Sequence, residues 1–584
     1  MRELRYLDKY LKKYRLQLMM GLFITVISRI FSLIAPRLIG NSLTAVEQHV
    51  AENVGSLEAL KELMLTNILV IIGATLLSGF FTFLMRQTII NVSRYIEFDL
   101  KNEIFYHYQK LSQHFYKNNR TGDLMSRISE DVGKVRMYVG PAIMYSINTF
   151  TLFLCVIVIM FSIAPKLSFY TLIPLPILSI TIYKLSRVIN LRSTVVQEIL
   201  AKLSSFTQES FSGISVIKSY GLEANINQSF DDLALKAKGK NMNLVKVQAW
   251  FFPLMILLIG LSNLIVIFIG GQQYINGEIE IGVLAEFIIY INMLTWPVAV
   301  VGWVTSVVQQ AEASQKRINE FLKEPIEIKD GVGVQKPFDG GIIFENVTLI
   351  YPETKIKALD NISFNVKAGE TLGIIGKVGS GKSTLLNLVN RLYDVDQGKV
   401  LLDESNIKDF KLNELRSYIG NVPQNAFLFS ESIENNIRFG KLNADINEVI
   451  EASKNASIHK NISKFKEGYK TLLGERGLTL SGGQIQRVSI ARALIKDPKI
   501  LLLDDCLSAV DTDTEEKILK NLKRISQNKT TIIVSHRISS VKDADKIIVL
   551  DQGKIIEEGD HNTLMKTRGN YFELFNRQQD EKQD

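Results

Sequence analysis

The sequence is poor in cysteine, proline and histidine: its 584 residues include two Cys, 12 Pro and six His. Two cysteines cannot staple a disulfide-rich secreted scaffold, and Cys155 and Cys506 lie in apolar surroundings, where thiols act as small hydrophobes. The Pro content and the 37 Gly also exclude a collagen-like chain and low-complexity disorder. Nothing in the composition indicates an oxidising compartment.

The C-terminal part of the chain has no net charge. Residues 325–584 contain 37 Lys and Arg against 37 Asp and Glu, whereas residues 1–324 contain 31 against 23. The formal net charge of +8 therefore comes entirely from the first part. That part is also the apolar one, so basic loops that orient membrane spans explain the surplus better than a nucleic-acid surface. We expect no nucleic-acid partner.

Long apolar runs occur only in the first 324 residues, and six of them reach the length of about 17–25 residues that a bilayer-crossing helix needs. No charge interrupts Leu63–Met85, Met137–Pro165 or Val247–Gly277. A buried soluble helix explains any one run, but six together favour a membrane domain. The predicted spans are 16–36, 63–85, 137–165, 167–183, 247–273 and 281–308.

The distribution of basic residues orients these spans. Residues 1–15 carry six Lys and Arg, and the connections 86–136 and 184–246 carry nine each. The alternate connections carry two, one and none. Basic loops stay in the cytoplasm, so both termini are predicted to be cytoplasmic, in a multi-pass protein of the inner (cytoplasmic) membrane.

The two long cytoplasmic connections are predicted to be helical arms. They contain 51 and 63 residues, and continuing the flanking helices at about 1.5 Å per residue carries each arm about 40 Å beyond the bilayer. Polar turns are expected at their tips, at 114–122 and 210–214. Such arms are either solvated hairpins or a mechanical link to the C-terminal part.

Glu286 is an acidic residue inside the sixth apolar run. An intramembrane carboxylate is a functional candidate by default. Because Glu286 lies near the outer end of the span, we favour an interfacial side chain that reaches toward water over a group that attracts cations into a cavity.

The C-terminal part contains a phosphate-binding loop. The strand-like run Thr371–Ile375 leads into a G-x-x-x-x-G-K-[ST] pattern that ends at Ser383, and a predicted helix, Thr384–Leu392, follows. The glycines let backbone N–H groups converge on phosphate oxygens at a helix N-terminus. Lys382 is expected to reach the β- and γ-phosphates and Ser383 to reach Mg²⁺. The predicted ATP cradle consists of Gly376, Lys377, Val378, Gly379, Ser380, Gly381, Lys382, Ser383 and Thr384.

Two further buried strands deliver candidate catalytic groups. Asp504 and Asp505 follow the strand-like run Lys499–Leu503. Asp504 is expected to anchor Mg²⁺, and Asp505 holds the position of a general base or water-orienting group. Thr530–Val534 leads to His536, a residue suited to hydrogen-bond phosphate and water.

With these motifs the sequence resembles the ATP-binding cassette (ABC) family. The motif that distinguishes this family from other P-loop proteins is Leu480-Ser-Gly-Gly-Gln484, which opens the predicted helix Ile485–Leu494. By resemblance, Tyr351 is the aromatic that stacks on adenine, and Gln424 links Mg²⁺ to the membrane domain. Gly474–Gly477 is similar to the segment that senses the coupling helices, and Ser508–Asp511 is similar to the D-loop.

The domain order resembles an exporter half-transporter, in which six spans precede one α/β cassette. The resemblance implies a dimer that holds two ATP molecules between its cassettes. Each ATP would lie between the P-loop of one chain and the signature of the other, here Ser481, Gly482, Gly483 and Gln484. The expected boundaries are an N-terminal segment at 1–15, a transmembrane domain at 16–311, a linker at 312–341, a cassette at 342–577 and a polar tail at 578–584.

One position departs from the family pattern. The catalytic carboxylate after Asp504 is normally Glu, and this sequence has Asp505. This change resembles the degenerate-site subunit of heterodimeric exporters. The leading hypothesis is therefore an ATP-driven exporter of small amphipathic molecules or lipids that works with a second half-transporter. A homodimeric lipid flippase and a regulatory subunit with vestigial ATPase remain as alternatives.

Overall fold

The computed structural model describes residues 2–52, 56–334, 338–474, 480–507, 512–525 and 528–580. The chain forms two compact units. One comprises Met1–His107 and Gly122–Lys323, and the other comprises Tyr108–Thr121 and Glu324–Asp584. The described residues of the first unit form helices without strands, whereas the second contains all the strands described below. The tip of the first arm therefore groups with the cassette.

The described N-terminal part of the chain consists mainly of α-helices. Short helical segments next to them have 3₁₀ geometry (Glu3–Leu7) or π geometry (Arg127–Asp131, Tyr138–Ala142 and Val266–Gly270). In chain order the α-helices are α1 (Asp8–Lys13), α2 (Arg15–Ser32), α3 (Ile34–Glu52), α4 (Leu57–Lys110), α5 (Gln113–Asn118), α6 (Thr121–Ser126), α7 (Val132–Met137), α8 (Ile143–Ile163), α9 (Pro165–Leu172), α10 (Pro174–Ser212), α11 (Ile214–Tyr220), α12 (Glu223–Gln248), α13 (Phe251–Ile265), α14 (Gly271–Ile275) and α15 (Ile281–Leu322).

Six helical segments of the described chain are long and apolar enough to cross a membrane, which confirms the predicted six-span domain. They run longer than the predicted spans; in the first arm, for example, helix α4 continues the second span without a break. Helix α4 alone has 54 residues, or about 80 Å of helix. The six segments are Arg15–Val50, Leu57–Lys110, Thr121–Ile163, Pro165–Ser212, Glu223–Ile275 and Ile281–Leu322.

The tip of the second arm contains a short helix between two turns. A turn was expected at 210–214, and the structure has one at Gly213; helix α11 occupies 214–220, and a second turn follows at Gly221. Gly221 has φ +63°, a left-handed conformation that glycine adopts without a side-chain clash. Gly213, the glycine inside the expected turn, has φ −94° and only separates α10 from α11.

The intramembrane carboxylate of Glu286 is buried, so the expectation of an interfacial, water-reaching side chain is wrong. Glu286 is 4% exposed and accepts a hydrogen bond of 2.6 Å from the hydroxyl of Tyr290, one turn further along α15. Helices α3 and α15 pack closely beside it. A Cβ atom at Gly282 would lie 2.1 Å from the carbonyl oxygen of Gly40. This packing removes the water path that an interfacial side chain needs.

The described residues of the cassette form two sheets built from ten strands. A four-stranded antiparallel sheet has the order β2-β1-β4-β5, and a six-stranded sheet has the order β10-β9-β3-β8-β7-β6. In the larger sheet all neighbours pair in parallel except β10 with β9. The strands are β1 (Ile342–Ile350), β2 (Lys357–Val366), β3 (Thr371–Gly376), β4 (Gln397–Leu402), β5 (Ser405–Asn406), β6 (Ile419–Val422), β7 (Ile500–Asp504), β8 (Thr530–Val534), β9 (Lys546–Asp551) and β10 (Lys554–Gly559).

Helices surround the larger sheet, which confirms the predicted α/β class. They are α16 (Lys382–Val389), α17 (Leu412–Ser417), α18 (Ile433–Arg438), α19 (Ile446–Asn455), α20 (His459–Ile462), α21 (Gly482–Leu494), α22 (Thr512–Ile525), α23 (His561–Thr567) and α24 (Asn570–Asp580).

The two faces of the six-stranded sheet pack against different apolar cores. In β7, Ile500 and Leu502 belong to the core that includes α16, whereas Leu501 and Leu503 belong to the core that includes α21. Successive side chains of a strand point to opposite faces, and a strand covered on both faces is apolar throughout. The helix after the P-loop and the helix that opens with the signature therefore lie on opposite faces of the sheet.

Candidate nucleotide-binding site

The P-loop between β3 and α16 has the backbone of an anion cradle. Gly379 has φ +82°, and a Cβ atom built there meets nothing within 4 Å, so the loop is open at this point. Gly381 has φ +102°, and a Cβ there would lie 2.5 Å from the carbonyl oxygen of Ala358. A side chain is excluded at Gly381 by both conformation and contact. The hydroxyl of Ser380 is buried and has no hydrogen-bond partner among the described residues.

Lys382 lies inside this loop. Its side chain is 6% exposed, and Nζ donates hydrogen bonds of 2.8 Å to the carbonyl oxygens of Gly376 and Lys377. Burial lowers the pKa of the Lys382 ammonium, while the carboxylates of Asp505 and Asp504 act in the opposite direction. The ammonium is thus held in the loop by neutral carbonyl groups, and an anion can replace these partners at little cost.

Ser383 and Asp504 come together as the sequence predicted. The Ser383 hydroxyl donates a hydrogen bond of 3.0 Å to Oδ1 of Asp504. Burial raises the pKa of the Asp504 carboxyl; the Ser383 hydrogen bond opposes this rise, and the charge of Asp505 adds to it. His536 is also close enough to lower the pKa of this carboxyl. A desolvated carboxylate beside a hydroxyl forms a hard oxygen donor set of the kind that Mg²⁺ prefers.

Parallel pairing explains how distant residues reach one site. The register pairs Val422 with Leu503, Asp504 with Val534, and Val534 with Ile374, so β6, β7, β8 and β3 end at one edge of the sheet. Ligands of open α/β sheets bind at the carboxyl ends of the strands. The residues that follow these ends are Gln424, Asp505, His536 and the P-loop residues.

Asp505 has an unusual backbone conformation. Its φ is +44°, its side chain is 8% exposed, and its N–H donates a hydrogen bond of 2.8 Å to the carbonyl oxygen of Val534. The chain turns sharply out of β7 at this residue, because a left-handed conformation cannot continue a strand. The turn fixes the direction in which the short carboxylate leaves the sheet.

Tyr351, the predicted adenine platform, is anchored to the P-loop helix. Its hydroxyl forms a hydrogen bond of 2.9 Å with the hydroxyl of Thr384, the third residue of α16. The ring of Tyr393 meets the Tyr351 ring edge-on, with the two centroids 5.2 Å apart. The platform is therefore coupled to both the phosphate end and the core of the cassette.

The signature residues form the N-terminus of α21. Ser481 and Gln484 make a reciprocal capping box, in which the Ser481 N–H donates 2.9 Å to Oε1 of Gln484. Gly482 and Gly483 occupy the first two helical positions, where N–H groups lack intrahelical partners. Ser481 is exposed, which leaves this helix end accessible to a ligand. Residues 475–477 and 508–511, also singled out in the sequence, lie outside the described residues.

The sequence did not predict a group of charged residues around Tyr351. Lys117 of helix α5 lies 3.1 Å from Oε1 of Glu353, and its Nζ lies 4.4 Å from the Tyr351 ring centroid. The sequence placed Lys117 in a polar arm tip but contained no local pattern that could pair it with residues more than 230 positions away. Such a contact arises only from the tertiary fold.

The comparisons with known proteins identify the family. Residues 18–298 match the model of the ABC transporter transmembrane region, and residues 359–508 match the ABC transporter cassette model. The two matches include the six-span region and the P-loop described above. The chain therefore belongs to the ABC transporter family, as a transmembrane region fused to a cassette.

Two curated relatives and one solved structure narrow the class to exporters. The chain is 34% identical to the multidrug resistance-like ATP-binding protein MdlA of Buchnera aphidicola, covering 96% of this chain and 95% of that protein. It is 35% identical to the ATP-dependent lipid A-core flippase of Syntrophus aciditrophicus, covering 82% and 79% of the two chains. The structure is similar to a bacterial Atm1-family ABC exporter with ATP bound, with a TM-score of 0.80, 26% identity, and coverage of 98% and 99%.

Family membership and fold together define the activity class. The chain is a multi-pass membrane protein with an ATP-binding cassette, and it couples ATP hydrolysis to export. Exporters of this kind work as dimers of half-transporters. The predictions of an ABC exporter, of its fold class and of an ATPase coupled to transport are confirmed.

Proposed function

We propose that this chain exports small amphipathic molecules (drugs) or lipids across the cytoplasmic membrane, with its cassette and both termini in the cytoplasm. The observation that carries the proposal is the Ser383–Asp504 pair beside an open P-loop, in a chain that also has six spans. The names of the two relatives support drugs and lipids as substrate classes. We retain 16–311 and 342–577 as the proposed domain boundaries.

ATP and Mg²⁺ fit the residues of the site. The space beside Gly379 and the unpartnered hydroxyl of Ser380 leave room and a donor for phosphate oxygens. Ser383, Asp504 and Gln424 would hold Mg²⁺, which neutralises phosphate charge when it is bound. All three supply oxygen ligands from one edge of the sheet.

Each of the remaining side chains has a separate role in the proposed ATP hydrolysis. Lys382 exchanges its two carbonyl partners for phosphate oxygens and stabilises negative charge that develops there. Asp505 and His536 hold the attacking water and its proton. Ser481 and Gln484 present their helix N-terminus to the ATP of a second chain, because the P-loop helix lies on the opposite face of their own sheet.

The partner is proposed to be a different half-transporter. This proposal rests on Asp505, which is one methylene shorter than the usual Glu. The shorter side chain holds its carboxylate about 1.5 Å back from the expected position. A misplacement of about 1 Å can cost on the order of 100-fold in rate. The site of this chain then binds ATP and hydrolyses it slowly, while its intact signature completes a fast site on the partner.

Transport is tested in inside-out vesicles that contain this chain and a candidate partner. We expect ATP-dependent accumulation of a fluorescent amphipathic dye, or ATP-dependent movement of a labelled lipid between leaflets, and loss of both with Lys382→Ala in this chain and the equivalent change in its partner. Vesicles with neither activity, in spite of ATP hydrolysis, would contradict the export proposal.

The partner is tested by co-expression with Glu-bearing half-transporters, followed by purification on a tag placed on this chain alone. A stoichiometric second polypeptide is expected. A homodimer that flips lipid without a partner would support the homodimeric flippase instead. ATP-dependent transport in vesicles that contain this chain alone would exclude a regulatory subunit with vestigial ATPase.

A further inference from the structure

We infer that Lys117, at the tip of the first arm, positions the adenine platform Tyr351, so that docking of the arm tip and stacking of adenine stabilise each other. The inference rests on the proposed nucleotide site. It adds to that site a residue from a helix that lies between two membrane spans in the sequence.

The geometry around Lys117 brings three groups to one ammonium. Its Nζ lies 3.1 Å from Oε1 of Glu353, 4.4 Å from the ring centroid of Tyr351 and 5.1 Å from that of Tyr393. A cation within about 6 Å of an aromatic ring is attracted by the ring quadrupole. Lys117 therefore contacts the platform and the two residues that surround it.

The Glu353 side chain that Lys117 contacts is buried, so the loss of the Lys117 charge would affect its conformation or protonation. The Glu353 side chain is 8% exposed, and its Oε2 has no hydrogen-bond partner among the described residues. Burial lowers the pKa of Lys117, but hydrogen bonds to Tyr393 and Glu353 outweigh it and raise that pKa overall. Loss of the ammonium would leave a buried carboxylate without its cation, and such a carboxylate must move toward water or become protonated. Either response disturbs the loop that carries Tyr351.

A second cluster holds the same arm tip in place. Oε1 of Glu327 lies 2.9 Å from Nδ1 of His114, and the hydroxyl of Ser112 donates a short hydrogen bond to the other oxygen of Glu327. Burial raises the pKa of Glu327, but these hydrogen bonds outweigh it and lower that pKa overall. This cluster does not include Tyr351, so the tip stays attached when Lys117 alone is changed. Lys117 can therefore be tested apart from docking as a whole.

The contacts continue from Tyr351 to the phosphate end. The Tyr351 hydroxyl pairs with Thr384 in α16, directly after Ser383. Arm tip, platform ring and P-loop helix are thus connected by two successive contacts. If Lys117 favours the ring orientation that stacks on adenine, adenine must favour the docked Lys117 to the same extent, because coupling between two binding equilibria is reciprocal.

Nucleotide binding to the full-length chain in nanodiscs tests the inference. We compare ATP with inorganic tripolyphosphate, which occupies a P-loop but has no base. Lys117→Met keeps an unbranched side chain that is one atom shorter and removes its charge, and we expect it to weaken ATP binding about fivefold, within the range of one cation–π contact, without changing tripolyphosphate binding. Lys117→Arg should restore most of the affinity. Lys355→Met, which removes an exposed lysine close to Tyr351 in sequence, is the matched control and should have no effect.

Hydrogen exchange of the amides in 113–119 measures the reverse direction of the coupling. ATP should slow this exchange more than tripolyphosphate does, and the difference should vanish in Lys117→Met. Equal weakening of ATP and tripolyphosphate would mean that Lys117 acts as a general charge or a folding contact, and would overturn the inference. Unchanged ATP affinity in Lys117→Met would overturn it too. Failure of the unaltered chain to bind ATP would overturn the proposed function together with the inference.

Discussion

Lys382 illustrates how one residue is prepared for its ligand. Its ammonium is buried in the P-loop, and burial lowers its pKa while two backbone carbonyls and two nearby carboxylates keep it charged. A buried ammonium without partners would be costly. The carbonyls supply hydrogen-bond partners without adding net negative charge, so the ammonium keeps its positive charge for a phosphate group. When an anion binds, the Lys382 ammonium exchanges its carbonyl partners for anion oxygens.

Lys382→Ala should weaken ATP binding by about 10- to 100-fold, the range expected when a charge-assisted hydrogen bond is lost. Lys367→Ala is the matched control, since Lys367 is an exposed lysine that precedes β3 and lies outside the P-loop. Titration with a fluorescent ATP analogue measures both variants. Equal affinities would place the phosphate contact elsewhere.

Asp505→Ala in the purified two-chain complex should reduce ATP turnover only modestly, because the proposed fast site belongs to the partner chain. Ser481→Arg should nearly abolish turnover, because the added side chain and charge would enter the partner's site from the exposed helix end of α21. Steady-state phosphate release measures both variants. If Asp505→Ala alone stopped hydrolysis, in a preparation shown to contain only this chain, Asp505 would be a working base in a homodimer.

At the scale of elements, helices α3 and α15 depend on two glycines for their contact. The hypothetical Cβ of Gly282 lies 2.1 Å from the Gly40 carbonyl oxygen and 2.5 Å from Oγ1 of Thr44. The N–H of Gly282 also donates a hydrogen bond of 3.2 Å to that hydroxyl. Small residues let two membrane helices approach closely, and close approach is the main source of helix–helix attraction inside a bilayer. The same contact encloses Glu286.

Gly282→Ala should therefore lower the melting temperature of the detergent-solubilised protein, since overpacking at a close contact costs about 1–3 kcal/mol. Gly79→Ala is the control, because a Cβ atom at Gly79 in α4 meets nothing within 4 Å. That variant should be neutral or slightly stabilising, as alanine is the better helix former. A Gly282→Ala protein that melts at the same temperature as Gly79→Ala would show that the two helices can separate without cost.

The sequence predicted those elements whose signals are local. Strand β8 has the predicted bounds, and the P-loop follows its strand as expected, because alternating or continuous apolar patterns and glycine spacing are properties of short segments. The burial of Glu286 was missed because it depends on which face of α15 meets α3. The turn at Gly213 was predicted, but helix α11 and the second turn at Gly221 were not, because the left-handed conformation of Gly221 is a property of the folded backbone. The partners of Lys117 lie too far along the chain for any pattern to reveal.

At the scale of the whole molecule, basic loops predict which ends of the spans face the cytoplasm. A cysteine at Asn276, an exposed position after α14, should react with an impermeant thiol reagent added to intact cells. A cysteine at Asn118 in the first arm tip should react only after the membrane is opened. Both variants are made with Cys155 replaced by Ala. The buried Cys506 can stay, because burial raises the pKa of its thiol to about 12 and only the thiolate is reactive. The opposite labelling pattern would invert the proposed orientation.

The grouping of Tyr108–Thr121 with the cassette has a consequence for biosynthesis. The tip is translated about 270 residues before Tyr393, the last of the residues that surround Lys117, and a ribosome needs roughly 15–50 s for that length at about 5–20 residues per second. During this interval the neighbouring spans can enter the membrane, but the tip has no cassette to dock on. A nascent chain that stops inside the cassette before Glu353 lacks the Lys117 contacts of its tip, and we expect proteases at the membrane to cut this tip faster than the tip of the finished protein.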